Sequence, residues 1–555
     1  MKRLIFILCM AAVSVCGCLK ETPKSSTTAQ KYYRSVAQIK TGLNGCYLPL
    51  RSIVATRGFW FMTELNTDLL FISGSTMYDA NCDVSPAKPS VATTIWQNGY
   101  RGVMYANEMI ADINYAVEQG FVQENEVKEY IAEAVVLRAM YYYLLTSTFG
   151  DVPFYTEKVT EQNRASIACL PRMSAQKTRE YCIEDIRTWV LEQRCLPFVR
   201  TYTEGHGGRI GAAVGLMTAA KMAMWNSQWE DALTFVEALE GIYGASYSST
   251  PEQFGVDYPL TDVPFSVKFA KESILELENK AEDYGVKVTS VIAAYATPTR
   301  KSSTGGSGEE GTSFYIDNYD GILIPALGPY ARITSTARPT AYLYKQLLPY
   351  YSTDLRNGEY SNNSSVARGS SGAVAWRWKG YDAANDAERN NEKVMWFASS
   401  NGATTRPWLG NKFWCGGMRD QMDANNYKIF RFADALLMKA EAYLNLENPD
   451  PDKACAYLNI TRTRAGLEPL TFAGVGSSKV SLMEEIRKER AKELVGEFQR
   501  KFDLVRWGIW YDRTKMYNES THLQDNIRHY HRYWPIPADQ VSYSGGALDN
   551  NEYKE

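Results

Sequence analysis

Glu489 and Glu493 stand one helical turn apart and could imitate the acid–base pair of a glycosidase. Such carboxylates must reach a scissile bond from opposite sides, and they usually come from different elements. Every Glu in the set Glu484, Glu485, Glu489, Glu493 and Glu497 also has a basic neighbour at helical spacing, drawn from residues such as Arg487, Arg490 and Arg500. The pattern predicts an ion-pair lattice between packed helices. His529-Tyr-His531 could set two imidazoles on one face of a strand, but with 4 His in the chain and no third ligand in sight no metal is expected. Gly306-Ser-Gly308-Glu-Glu-Gly311 satisfies G-x-G-x-x-G, yet it follows no strand, opens no helix and sets two carboxylates where a phosphate would sit. G-x-S-x-G, H-E-x-x-H and a Cys/His nucleophile pair are absent, so catalysis has little chemical support and no cofactor is expected.

The remaining candidates are aromatic. The chain is 13% aromatic, with 37 Tyr and 13 Trp. A sugar ring stacks its C–H faces on such rings, while Asn, Asp and Arg hold its hydroxyls. The candidate ligand residues are Trp60, Tyr78, Tyr315, Tyr330, Trp376 and Trp378. The alternation Ala375-Trp376-Arg377-Trp378-Lys379 puts both Trp on one face of a strand. A single aromatic more often packs a core, but Gly- and Ser-rich surroundings offer less core to fill.

Those residues need a scaffold, and the rest of the chain reads as helical. Its 555 residues suffice for a large core, as several domains or one repeat array. Trp96, Tyr100, Val103, Met104, Asn107, Ile110 and Ile113 fall at helical spacing within 31–118. A helix over 125–149 should stop at Gly150 and Pro153, and 174–194 is a further amphipathic candidate. Residues 210–242 read as a helix pair, in which Ala220 precedes Ala232 by the spacing of the tetratricopeptide repeat. Residues 427–466 repeat the plan around the turn Asn448-Pro449-Asp450-Pro451, and 480–508 form a last helical block. Between 245 and 425 the periodicity fades, and Ser302–Gly308 and Ser361–Ser365 are loop material. A long segment of this kind reads as a functional insertion.

A net charge of -3 argues against a nucleic-acid partner. Lys2 and Arg3 followed by an apolar run over 4–15 read as a signal peptide, and no other run approaches membrane-spanning length. Val15-Cys16-Gly17-Cys18 resembles the bacterial lipobox, which implies cleavage before Cys18, lipidation of Cys18 and a tether through Lys20–Ser26. Beyond it lie Cys46, Cys82, Cys169, Cys182, Cys195, Cys415 and Cys455, with no C-x-x-C spacing. They read mostly as buried small hydrophobes, with room for one or two disulfides.

Several motifs in order resemble the SusD/RagB-like outer-membrane nutrient-binding lipoproteins. They are Arg431-Phe-Ala-Asp434 leading to Ala440-Glu441-Ala442, Leu458-Asn459-x-x-Arg462-x-Arg464-Ala-Gly466, and Ile486-Arg487-x-Glu489-Arg490-x-x-Glu493. Arg500-x-Phe502-Asp503-Leu504-x-Arg506-Trp507-Gly508 and Trp534-Pro535-Ile536-Pro537 follow. Trp96-x-x-x-Tyr100, Ala106-Asn107 and Glu133-Ala134-x-x-Leu137-Arg138 match nearer the start. The tail departs, since Leu548-Asp549-Asn550-Asn551-Glu552-Tyr553 only echoes the usual closing segment.

The resemblance implies a mostly α fold in which tetratricopeptide-like helix pairs carry an irregular, loop-rich insertion. It implies a signal peptide over 1–17, a lipidated tether over 18–30, a helical region over 31–244, a ligand-binding insertion over 245–425 and a second helical region over 426–555. The implied protein is lipid-anchored at the outer membrane, facing outward. It would capture oligosaccharides, or peptides, and pass them to a TonB-dependent transporter without cleaving them. The alternatives are a helical-repeat adaptor without small ligands and an all-helical glycosidase.

Overall fold

The computed structural model describes residues 32–243 except 73, 89 and 201–207, short segments between 268 and 423, and residues 424–553. Cys18 and Tyr330 lie outside the described residues.

Helix hairpins build the body. The first joins α1 (Val91–Glu118) to α2 (Glu124–Phe149). Ser90 caps α1 by accepting from the Ala92 N–H at 3.2 Å, and the Gln123 N–H donates to Glu126 at 2.9 Å where α2 begins. Glycine sets how closely the two approach. A Cβ on Gly102 would lie 2.2 Å from the Tyr141 ring, so only glycine fits there. Every residue from 130 to 149 is buried, which makes α2 the central helix. It ends at Gly150, whose φ of 73° is left-handed backbone.

Helix α3 (Ala175–Ile186) packs on α2 and on α4 (Ala212–Trp225). The second hairpin is α4 with α5 (Trp229–Tyr243), and the third is α6 (Phe432–Asn445) with α7 (Pro451–Arg464). In the third, Asp450 accepts from the Lys453 N–H at 3.0 Å and Pro451 occupies the first turn, so the expected Asn-Pro-Asp-Pro turn is an N-cap. Helix α5 packs on α6, and α6 on α8 (Lys479–Glu493). The block over 480–508 is broken, because 494–499 turns the chain between α8 and α9 (Arg500–Arg506).

Short strands stand among the described residues of 245–425. Strand β2 (Ser273–Leu277) pairs antiparallel with β8 (Tyr427–Arg431), which runs directly into α6, so one ribbon roots the segment in the body. Strand β1 (Leu70–Ile72) pairs with β4 (Ala337–Pro339), a second anchorage. Four more strands form an antiparallel sheet in the order β3 (Phe314–Tyr315), β7 (Val394–Phe397), β6 (Val374–Trp378), β5 (Gly358–Ser361). No strand there exceeds 5 residues, too short for alternation to stand out from loop sequence.

Candidate functional site

The carboxylates with the spacing of an acid–base pair are saturated with cations. Glu489 accepts from Arg356 at 2.7 Å and from the Thr461 hydroxyl at 2.8 Å, and it pairs with Lys492 at 3.1 Å. Glu493 accepts from Arg431 at 3.0 Å and Arg356 at 3.1 Å, and it also pairs with Arg464. Burial alone would raise the Glu493 carboxyl, but the guanidiniums of Arg464, Arg431 and Arg356 overcome it and hold the group well below the usual carboxylate range. Burial is overcome in the same way at Glu489, by Arg356 and Lys492. A general acid needs the opposite shift. The pair is a structural joint, as the charge pattern predicts.

The joint extends through the helices that carry the motif series. Arg431 also reaches Glu272 at 2.6 Å and Glu497 at 2.7 Å. Arg490 bridges Asp434 and Asp503, both at 2.8 Å. Arg506 grips Glu441 at 2.6 and 2.7 Å, and the Trp507 indole N–H donates to the same carboxylate at 2.8 Å. Arg500 clamps Asp68 at 2.7 and 2.6 Å. Near the N-terminus, Arg138 spans Asn107 and Asp185, both at 2.8 Å. Most of these partners come from distant elements, which is the lattice between packed helices that the charge pattern predicts. Pairs at helical spacing also occur, both exposed, as Lys488–Glu485, and buried, as Lys492–Glu489 and Arg506–Asp503.

His529 and His531 sit in a 3₁₀ turn, His529–Arg532, not in a strand. His531 is buried and its Nδ1 accepts from the Arg528 N–H at 3.1 Å, while the His529 ring stacks on Tyr511. Among the described residues no group of three His, Cys, Asp or Glu could hold a metal. Six cysteines described there, Cys46, Cys82, Cys169, Cys182, Cys195 and Cys455, are unbridged, and only Cys169 is exposed.

The aromatic candidates divide. Trp60 is a correction. It lies in the short helix Arg57–Trp60, is 2% exposed, and donates its indole N–H to the Gly496 carbonyl at 2.9 Å, so it packs the core. A local helix and the distant segment at Gly496 enclose the run Phe59-Trp60-Phe61. Tyr78 is 41% exposed and stands on a firmly held loop. Its neighbour Asp79 accepts from the Val91 N–H and the Trp534 indole, both at 3.1 Å. Burial pushes the Asp79 carboxyl up to about 6, although the Trp534 indole N–H opposes it. Asn81 donates to the Gly74 carbonyl at 2.6 Å and accepts from the Ser520 hydroxyl at 3.0 Å.

Strands β1 and β4 pair Ile72 with Ala337. The loop bearing Tyr78 leaves β1 beside Ile72, at the end of the ribbon where Ala337 opens β4. Tyr315, Trp376 and Trp378 all lie in the four-stranded sheet. Trp396 pairs with Tyr315 in the register of that sheet. Nothing local to residue 396 signals that pairing, because it is set by long-range register.

Residues 271–553 match the SusD family model, and residues 23–196 match a model described as starch-binding, associating with outer membrane. The chain belongs to the SusD family. The SusD-like protein P25 of Formosa agariphila is 24% identical over 97% of this chain and 96% of that protein. The fold matches surface glycan-binding protein A from Bacteroides uniformis with a TM-score of 0.61 at 21% identity, covering 94% of this chain and 100% of that one. It also matches surface glycan-binding protein A from Bacteroides thetaiotaomicron in complex with laminarihexaose, with a TM-score of 0.62 at 18% identity over 93% of this chain and 99% of that one. In this SusD-family chain the motif series is the buried charge network, so the residues that reveal the family are those that hold its helices together.

Proposed function

We propose that this SusD-family protein is a non-catalytic surface lipoprotein. It captures oligosaccharides, or peptides, with its insertion and delivers them to a TonB-dependent outer-membrane transporter. The lipid at Cys18 would hold it to the outer membrane, facing outward. The observation that carries the reading is the whole-length likeness to a surface glycan-binding protein seen with laminarihexaose. The saturated state of Glu489 and Glu493 supports a role without cleavage by that pair. The ligand surface is assigned to the insertion and the adjoining loop, with Tyr78, Tyr315, Tyr330, Trp376 and Trp378 within it.

Calorimetric titration of the mature chain against plant, host and microbial oligosaccharides and peptides tests this reading, with each mixture checked for cleavage products. Binding without cleavage is expected. Time-dependent release of reducing sugar would make the protein an enzyme. A stable protein partner with no small-ligand affinity would make it an adaptor.

A further inference from the structure

Lys501, in α9, is a cation buried without a carboxylate. It is 2% exposed and forms no ion pair among the described residues. Its ammonium donates to the His531 carbonyl at 2.8 Å, which uses one of three N–H groups. Two rings flank it, with Nζ 3.3 Å from the centre of the Trp534 ring and 4.7 Å from that of Trp510. Trp534 is held on two sides, because its indole N–H donates to Asp79 at 3.1 Å while its face meets Lys501. Asp79 also accepts from the Val91 N–H, where α1 begins, and forms no ion pair among the described residues. A cation and an anion are thus joined through one indole and do not pair directly.

The cluster sits where three segments meet. Lys501 comes from α9, Asp79 and Cys82 from the loop between β1 and α1 that carries Tyr78, and His531 and Trp534 from the C-terminal segment. Across the same seam the Ala538 N–H donates to the Pro86 carbonyl at 3.1 Å, and the Asn526 side chain to the Asn81 carbonyl at 3.3 Å. A buried charge without a partner tends to neutralise. Burial lowers the Lys501 ammonium to about 7, although Cys82 and Asp79 oppose it, and burial raises Asp79 to about 6. The titratable groups beside them keep one form over this range. Burial holds the Cys82 thiol up at about 12, and burial with Lys501 and Arg528 holds His531 down at about 3. The fixed charges nearby are the guanidiniums of Arg528 and Arg57.

We propose that Lys501, Trp534 and Asp79 form a pH-sensitive latch between the loop bearing Tyr78 and the C-terminal segment, loosest near neutral pH and tightened by the loss of either charge. In an opened seam both side chains meet water and regain their ordinary values. Above about 7 the closed seam keeps Lys501 neutral while the opened seam binds a proton, so closure strengthens as pH rises. Below about 6 the closed seam keeps a proton on Asp79 that the opened seam releases, so closure strengthens as pH falls. The latch acts on the loop whichever ligand the protein takes.

Native-state hydrogen exchange of the full mature chain from about pH 5 to about pH 9, corrected for intrinsic rates, tests this at the amides of Val91, Trp534 and Ala538. Amides in the middle of α2 report global unfolding. Seam protection should be least between about pH 6 and 7, and should grow by up to about tenfold per pH unit on the alkaline side. Asp79→Asn should remove the acid limb alone, and Lys501→Met the alkaline limb alone. Side-chain NMR of the lysines in the native chain adds a measurement free of any substitution, in which one lysine should release its proton near pH 7. Flat seam protection, or limbs that survive both substitutions, overturns the latch. So does a native chain whose lysines all titrate near the ordinary value of about 10.4. Limbs shared equally by the seam and α2 overturn it as well, because the titration would then belong to global unfolding.

Discussion

Arg490 shows what each motif residue does. Its guanidinium is 2% exposed and lies between Asp434 and Asp503. Removing it leaves both carboxylates in a dry interior with one cation each, Lys221 and Arg506. Breaking a buried pair by deleting one partner costs about 3–5 kcal/mol. Arg490→Ala should therefore lose roughly that much in a denaturant titration, while the folded fraction keeps native glycan affinity. Lost affinity at unchanged stability would contradict the structural role.

Glu64 makes a prediction of the opposite kind, because it has backbone donors in place of a cation. It accepts from the N–H groups of Gly496 at 2.8 Å, Gln499 at 2.8 Å and Arg500 at 3.3 Å. Burial pushes its carboxyl up from 4.5 to about 7 against those hydrogen bonds. Between these two values the folded chain keeps a proton that the unfolded chain has released. The contribution of Glu64 to stability must then fall as pH rises from about 4.5 to about 7, and stay level above. Glu64→Gln removes that slope. The Tm of the variant minus that of the native chain should climb from about pH 5 to about pH 7 and then hold. A flat difference across that range would refute the assignment.

At the scale of elements, two glycines should respond oppositely to alanine. In an open helix, Gly→Ala gains about 0.5–1 kcal/mol. Gly241, in α5, has no atom within 4 Å of a built Cβ, so Gly241→Ala should raise the Tm. Gly102 faces Tyr141, whose ring cannot swing aside without leaving the Leu50 N–H it accepts from at 3.1 Å. Overpacking costs about 1–3 kcal/mol and outweighs the propensity gain, so Gly102→Ala should lower the Tm. A rise at both positions would mean that α1 and α2 are not held at this spacing.

The same elements show what a sequence can and cannot reveal. Helices α1 and α2 were legible because their period and stop signals at Gly150 and Pro153 are local. The helix pairs within 210–242 and 427–466 were legible through small residues at repeat spacing, although 427–431 is strand β8 and not helix. The sheet was not, because its strands are short and their partners lie far apart in sequence. Only the alternation at Trp376 and Trp378 gave a local sign of a strand. Trp60 was misread because burial depends on Gly496, more than 400 residues away in sequence.

For the whole molecule, the question is how the segment proposed to bear the ligand is joined to the helices. Arg431 closes β8, precedes α6, and reaches Glu272 at the start of β2 as well as Glu493 and Glu497 beyond α7. Lys428 and Glu276 form a second pair across the same ribbon. The root of the insertion thus shares its cations with the helical network, whereas Arg490 serves only helix-to-helix contacts. Arg431→Ala and Arg490→Ala should both destabilise globally, but only Arg431→Ala should loosen the ribbon locally. Hydrogen exchange under native conditions separates the two, because local opening speeds exchange independently of global unfolding. Amides of 273–277 and 427–431 should exchange faster in Arg431→Ala than in an Arg490→Ala chain of matched global stability. If the insertion binds the ligand as proposed, glycan affinity should weaken with them, since binding pays in ordering entropy for any freedom at the root. Equal ribbon exchange in the two variants would mean that the insertion is held by its second anchorage at Leu70–Ile72 and Ala337–Pro339, and that the charge network stops at the helices.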